Sequence, residues 1–164
     1  TMARADLMDI QQLERMRETG LQSIKYGIES ADEEILKKSG KKLRLDKVLE
    51  TIQLTKSLGI KYHLTFMFGL PGETKESAQK TLDLSLKLNP ESLQFTLATP
   101  FPGSALFNKL KEENKLVTYD FSKYDGFHSA VIKTEFMEQK ELEEFILYAN
   151  KKWTAFRYGS LNCN

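Results

Sequence analysis

The chain has 164 residues, with 24 basic and 23 acidic side chains and a formal net charge of +1. That interspersed balance argues against a nucleic-acid stripe or a polybasic membrane anchor, and no apolar run reaches the length of a membrane span. A single cysteine, Cys163, excludes an internal disulfide framework and any thiolate cluster built from this chain alone, so a reducing cytoplasm is the expected setting. The first residues carry no signal-peptide pattern.

Asp9 reads as the cap of a first helix that buries Leu13, Met16 and Ile10 and ends near Gly20. Residues 23–28 read as a strand, and 31–38 as a short helix stopped by Gly40. A longer helix over 46–58 carries Val48, Leu49, Ile52 and Leu58 on one stripe, with Gly59 as its stop. A strand over 61–68 follows, then a helix over 74–88 ended by Asn89-Pro90. After a strand over 92–98, another helix starts close to Ser104. Residues 115–135 have weak periodicity and read as an extended covering segment. A last helix, 138–157, places Leu142, Phe145, Ile146, Ala149, Trp153 and Phe156 on one broad apolar stripe.

Strands alternating with helices predict βα units and a parallel sheet. Strands buried on both faces would be apolar throughout, and these are not. Ile24, Tyr26 and Ile28 alternate with Lys25, Gly27 and Glu29; Tyr62, Leu64, Phe66 and Phe68 with His63, Thr65 and Met67; Leu93, Phe95 and Leu97 with Gln94, Thr96 and Ala98. One face suits helix packing, and the other is small or polar. The pattern predicts a curved sheet with helices outside and a lined chamber inside, unlike a barrel packed solid with branched aliphatics. Ligands in such folds sit beyond the carboxyl ends of the strands, where Glu29, Gly69–Glu73 and Thr99–Gly103 fall.

Two apolar strands end in stiff turns, Gly69-Leu-Pro71-Gly72-Glu73 and Thr99-Pro100-Phe-Pro102-Gly103. Glycine permits close backbone approach and proline fixes the path, so backbone N–H groups there suit a ligand edge. The same residues also make a purely structural strand-to-helix turn, with Thr74 as cap and Glu73 near the helix's positive end. No Gly-Lys-Ser/Thr ending follows, so this is no P-loop. Glu29 stands beside Gly27, which obstructs nothing. It reads as a ligand carboxylate or as a surface cap. Lys41 lies in a Ser-Gly-Lys-Lys turn that would otherwise be simply solvated. His63 reads as a satisfied structural histidine, and His128 takes no role. Two histidines and one cysteine make no metal site, and no nucleophile–base or paired-carboxylate arrangement stands out.

RADLM at 4–8, YGIESADEEILKKSGKK at 26–42, FMFGLPGET at 66–74 and TPFPGSALF at 99–107 together resemble the radical S-adenosylmethionine enzymes. The likeness is to the group that often carries an upstream cobalamin-binding domain, such as anaerobic magnesium-protoporphyrin ester cyclases and certain methyltransferases. It implies the later half of a partial (β/α)6 TIM-like barrel, with βα units over about 1–112 and a C-terminal extension with a long helix over 113–164. The family's CxxxCxxC loop, which binds a [4Fe–4S] cluster, and its glycine-rich methionine-gripping motif would lie upstream. The parent enzyme would use S-adenosylmethionine, the cluster and, in the full-length protein, cobalamin to generate a 5′-deoxyadenosyl radical. A flavodoxin or ferredoxin would supply the electron, and the substrate would be a small molecule. No catalytic or metal-ligating residue falls in this segment, which would be inactive alone. By resemblance Gly27 and Glu29 meet the ribose, Lys41 the cofactor's carboxylate, and Gly69, Pro71, Gly72, Glu73, Thr99, Pro100, Pro102 and Gly103 the nucleoside. Thr65, Gln94 and Thr96 would line the substrate chamber. Arg4 either reaches into that chamber or belongs to a cut end. Without the earlier strands the open sheet edge invites self-association. The competing reading is a non-catalytic α/β binding or scaffold domain derived from the same fold.

Overall fold

A computed structural model of the chain describes residues 1–41 and 43–159, so Cys163 lies outside the described residues. Four parallel strands, β1 (Met2–Ala3), β2 (Ser23–Glu29), β3 (Lys61–Phe68) and β4 (Ser92–Leu97), lie side by side in chain order. Helices α1 (Ile10–Glu18), α2 (Glu33–Lys38), α3 (Leu45–Ser57), α4 (Lys75–Leu88), α5 (Ala105–Glu112) and α6 (Gln139–Tyr158) fill the connections and the C-terminal part. The protein is thus an α/β fold, a four-stranded parallel sheet flanked by helices in the manner of a partial, open (β/α) barrel.

The period-2 pattern decides which face the helices cover. Ile24, Tyr26, Ile28, Tyr62, Leu64, Phe66, Phe68, Phe95 and Leu97 are all buried in one core with Val48 and Ile52 of α3, Leu82 of α4 and Leu142 of α6. Phe68 stacks on Phe95 at 5.3 Å and meets the edge of Phe145 at 4.9 Å, tying β3 to β4 and α6. Buried hydroxyls are matched in series. Tyr26 bonds Thr55 at 2.9 Å, Thr55 donates to the Thr51 carbonyl, and Thr51 donates to Ala5 O at 2.7 Å.

Local chemistry sets the helix ends. The Asp9 side chain accepts from Gln12 N, Asp32 from Glu34 and Ile35, and Ser104 from Phe107. Thr74 and Ser77 cap α4 reciprocally, and Asn89 in the left-handed region ends it before Pro90. Because Asp32 is the cap, α2 starts at Glu33 and not at residue 31. Three side chains assigned to buried stripes face water instead. Ile10 is 52% exposed, Phe156 51% and Leu49 37%. Residues 115–135 cover the sheet's far margin, but they are not extended throughout: Phe121–Lys123 form a short 3-10 turn behind the Asp120 cap. Leu116 bridges Ile132, and Leu97 N–H donates to Gly126 O at 2.7 Å.

Candidate functional site

The face turned away from the helices is built in rungs. Lys25, His63 and Ser92 align at the amino end, then Gly27, Thr65 and Gln94; at the carboxyl end Met67 pairs with Thr96, while Glu29 comes opposite Phe66. Between Gly27 and Glu29 the pairing slips by a bulge, and Glu29 adopts φ 72°. A side chain held there costs about 1–3 kcal/mol unless its surroundings over-determine it. Those surroundings are Ser30 and Thr81. Ser30 is buried against Thr81 of α4, whose hydroxyl also accepts from Ala31 N at 3.0 Å.

The bulge turns the Glu29 carboxylate into the mouth of the chamber. Lys41 Nζ donates to Glu29 Oε1 at 2.8 Å and to Gly27 O at 2.9 Å. Both side chains remain about a quarter exposed, at 22% and 25%. A Cβ on Gly27 would stand 2.7 Å from Glu29 Oε1, 3.3 Å from Lys41 Nζ and 3.4 Å from Thr65 Oγ1. Only a residue without a side chain lets this carboxylate fold back over its own strand. Among the described residues Glu29 Oε2 has no protein partner, so it faces the cavity as a free acceptor.

The turn after β3 closes on Glu73, which is fully buried. Its Oε2 accepts the Gly69 N–H, and its own N–H donates to Leu70 O at 3.0 Å. Oε1 is buried with no partner. Burial pushes this carboxyl up to about 8, and the Asp32 charge adds to the rise, against the Gly69 and Leu70 amides that favour the anion. At neutral pH the group is therefore largely the uncharged acid.

Two connected cavities occupy the inner side. The chamber, about 540 Å³, is lined by Arg4, Gly27, Glu29, Lys41, Thr65, Gln94 and Thr96 together with Lys25 and Met67. A mouth cavity of about 510 Å³ shares Glu29, Lys41 and Met67 with it and adds Leu70, Pro71, Ala98 and Thr99. Gly69 and Gly72 line a third cavity of about 360 Å³, which shares Lys38, Pro71, Leu106 and Lys109 with the mouth cavity. Over Gly72 runs the Lys38 stem, within 2.9 Å of where a Cβ would be. Glu73 lies beneath the turn and lines none of these cavities. Neither do Pro100, which is buried, nor Pro102 and Gly103, which are exposed. Among the described residues no cluster of acidic, His or Cys side chains is arranged to hold a metal ion, and no helix is long and apolar enough to cross a membrane.

Sequence reasoning missed Ser30 and Thr81, which set the Glu29 backbone, and Lys25, whose place among small polar residues on the inner face was its signal. It also read His63 as fully satisfied. His63 Nδ1 pairs with Ser92 Oγ at 2.7 Å, while Nε2 is buried without a partner. Burial and then the Lys25 charge lower its pKa, leaving the ring neutral at neutral pH.

The sequence model of the family described as the Radical SAM superfamily matches residues 2–85, just over half of the chain. The chain belongs to the radical SAM superfamily. It is 34% identical over 109 residues to an uncharacterized methyltransferase of Pyrococcus horikoshii, covering 66% of this chain and 24% of that one. It is 30% identical over 141 residues to the anaerobic magnesium-protoporphyrin IX monomethyl ester cyclase of Rubrivivax gelatinosus, covering 86% and 25%. The chain thus spans about a quarter of the length of these relatives. Among solved structures, coproporphyrinogen III oxidase (HemN) from Escherichia coli superposes with a TM-score of 0.68 at 15% identity, covering 94% of this chain and 31% of that chain. The radical S-adenosylmethionine methyltransferase TsrM from Kitasatospora setae, solved with cobalamin and a [4Fe–4S] cluster, gives 0.63 at 21% identity, covering 71% and 22%. At those identities the superpositions speak for the radical SAM fold alone.

Proposed function

We propose that this chain forms the later half of the catalytic barrel of a radical S-adenosylmethionine enzyme, in the group of ester cyclases and methyltransferases associated with cobalamin. Its role is to bind the nucleoside part of S-adenosylmethionine and to wall the substrate chamber. The observation that carries this reading is the mouth constellation, a carboxylate folded over a glycine and steadied by a lysine.

The residues present fit that cofactor. The free Oε2 of Glu29 suits a ribose hydroxyl, as a charge-assisted acceptor. Lys41 spends two of its three N–H donors on Glu29 and Gly27, and the third remains for the methionyl carboxylate. The mouth cavity between Pro71 and Thr99 takes the base, bounded by Leu70 and Ala98. The chain's single cysteine does not fit a [4Fe–4S] cluster, whose ligands we assign to an upstream part of the parent protein. S-adenosylmethionine held at this mouth would supply a 5′-deoxyadenosyl radical for hydrogen abstraction, one electron from the reduced cluster on that upstream part breaking its sulfonium C–S bond and leaving methionine. This chain's residues orient the nucleoside, exclude water and hold the substrate beside it. A cytoplasmic setting with a flavodoxin or ferredoxin donor accords with such chemistry.

Calorimetric titration with S-adenosylmethionine tests the reading. Glu29→Gln, which keeps the shape and loses the charge, is expected to weaken binding by about 10–100-fold, the range for hydrogen bonds to a charged group. Gly27→Ala is expected to weaken it at least as much, because its Cβ displaces the carboxylate. Equal affinity across wild type and both variants, or no binding by the wild type, would leave the scaffold reading in its place.

A further inference from the structure

Three cations reach the chamber, and two are already neutralised. Arg4 forms a two-bond pair with Asp6, at 2.8 and 3.1 Å, and Lys41 holds Glu29. Lys25 differs. Among the described residues it has no carboxylate partner, and its Nζ rests 3.4 Å from the amide oxygen of Gln94. Register explains the reach. Lys25 pairs with His63 on β3, whereas Gln94 stands one rung higher on β4. The side chain therefore crosses β3 diagonally and delivers its ammonium to the middle of the chamber floor. The acid that lines the chamber, Glu29, is taken up by Lys41. His63 beside it is neutral, and Thr65, Thr96 and Met67 carry no charge. A lone cation against a walled cavity favours an anionic occupant, because the low-dielectric walls focus its field.

We propose that Lys25 is an oxyanion receptor and that the chamber takes a substrate bearing a carboxylate or phosphate group. The inference rests on the chamber reading proposed above and adds the substrate's charge. Glu29 is set further towards the carboxyl end of the same strand, at the mouth, although its carboxylate folds back beside Gly27. An anionic end held at Lys25 thus leaves the rest of a small molecule pointing towards the mouth, where the nucleoside binds. Gln94 acts as a positioning residue: its oxygen orients the ammonium, and its amide N–H groups supply a second donor to the oxyanion.

The test is a methyl NMR titration of the chain at low ionic strength, with inorganic phosphate as probe and the Thr65, Met67 and Thr96 methyls as reporters. Phosphate is expected to shift all three. Lys25→Met should weaken that binding by about tenfold, and Lys25→Arg, which keeps the charge, should retain it. A Lys25→Met protein that titrates like the wild type, or chamber methyls that phosphate leaves unmoved, overturns the proposal. S-adenosylmethionine is titrated in parallel, read at Met67 and Thr99. If phosphate binds through Lys25 while S-adenosylmethionine shifts nothing, the oxyanion site stands and its assignment to a radical SAM substrate falls.

Discussion

Phe68→Ala is expected to destabilise the protein by about 3–5 kcal/mol, the usual cost of emptying a buried aromatic site. Phe68 is fully buried, and its ring touches two others, Phe95 from β4 and Phe145 from α6. Removing it breaks the junction of three elements at once, and collapse of one neighbour cannot fill the space. The loss also reaches the site, since the next residue, Gly69, begins the turn that shapes the mouth and lies against Leu142 of α6. Urea unfolding followed by circular dichroism measures the effect. A loss below about 1 kcal/mol would mean that the three rings do not form the junction described.

The second large effect is a pH dependence that traces to Glu73. Its carboxyl holds a proton up to about 8 when folded, whereas an unfolded glutamate releases it near 4.5. Between those values the folded state binds more protons, so stability is fully present below the lower value and declines as pH rises to about 8. Each tenfold gain in proton affinity on folding is worth about 1.4 kcal/mol, so the decline amounts to a few kcal/mol. Glu73→Gln has no proton to lose and can still accept from the Gly69 N–H, and its stability should stay nearly level across that window. Glu73→Ala behaves differently, because it leaves that N–H without its acceptor at a cost of about 1–3 kcal/mol at every pH. Urea midpoints at pH 5 and pH 8 for the three proteins decide the matter. Parallel slopes for wild type and Glu73→Gln would remove Glu73 as the cause.

The strands were legible because alternation is a short-range signal. Residues 61–68 read directly as β3, and the inner and outer faces of three strands followed from their period. The turn glycines, the caps at Asp9 and Thr74 and the helix start near Ser104 were equally local. What the sequence hid depends on partners. The bulge at Gly27 and Glu29 exists only relative to β3, so neither the left-handed Glu29 nor its anchor on Thr81, fifty-odd residues away, had a local signature. The burial of Glu73 was hidden for the same reason. Beside a helix start an acid reads as a solvated charge, and only the fold of the turn shows that it is enclosed. Periodicity also over-assigned the stripes. Ile10 and Phe156 stand at the ends of their helices, where the packed neighbours run out, so helical spacing alone left both exposed.

The bond from Leu97 N–H to Gly126 O gives the sheet a direction. It occupies the outer edge of β4 at the strand's last residue, where an incoming strand would have to displace the covering segment before pairing. At the opposite margin β1 is only two residues long and pairs with β2 alone among the described strands. The β4 margin is therefore the guarded one: a strand added there would first have to displace the covering segment, whereas one added at the other margin would meet only Met2 and Ala3.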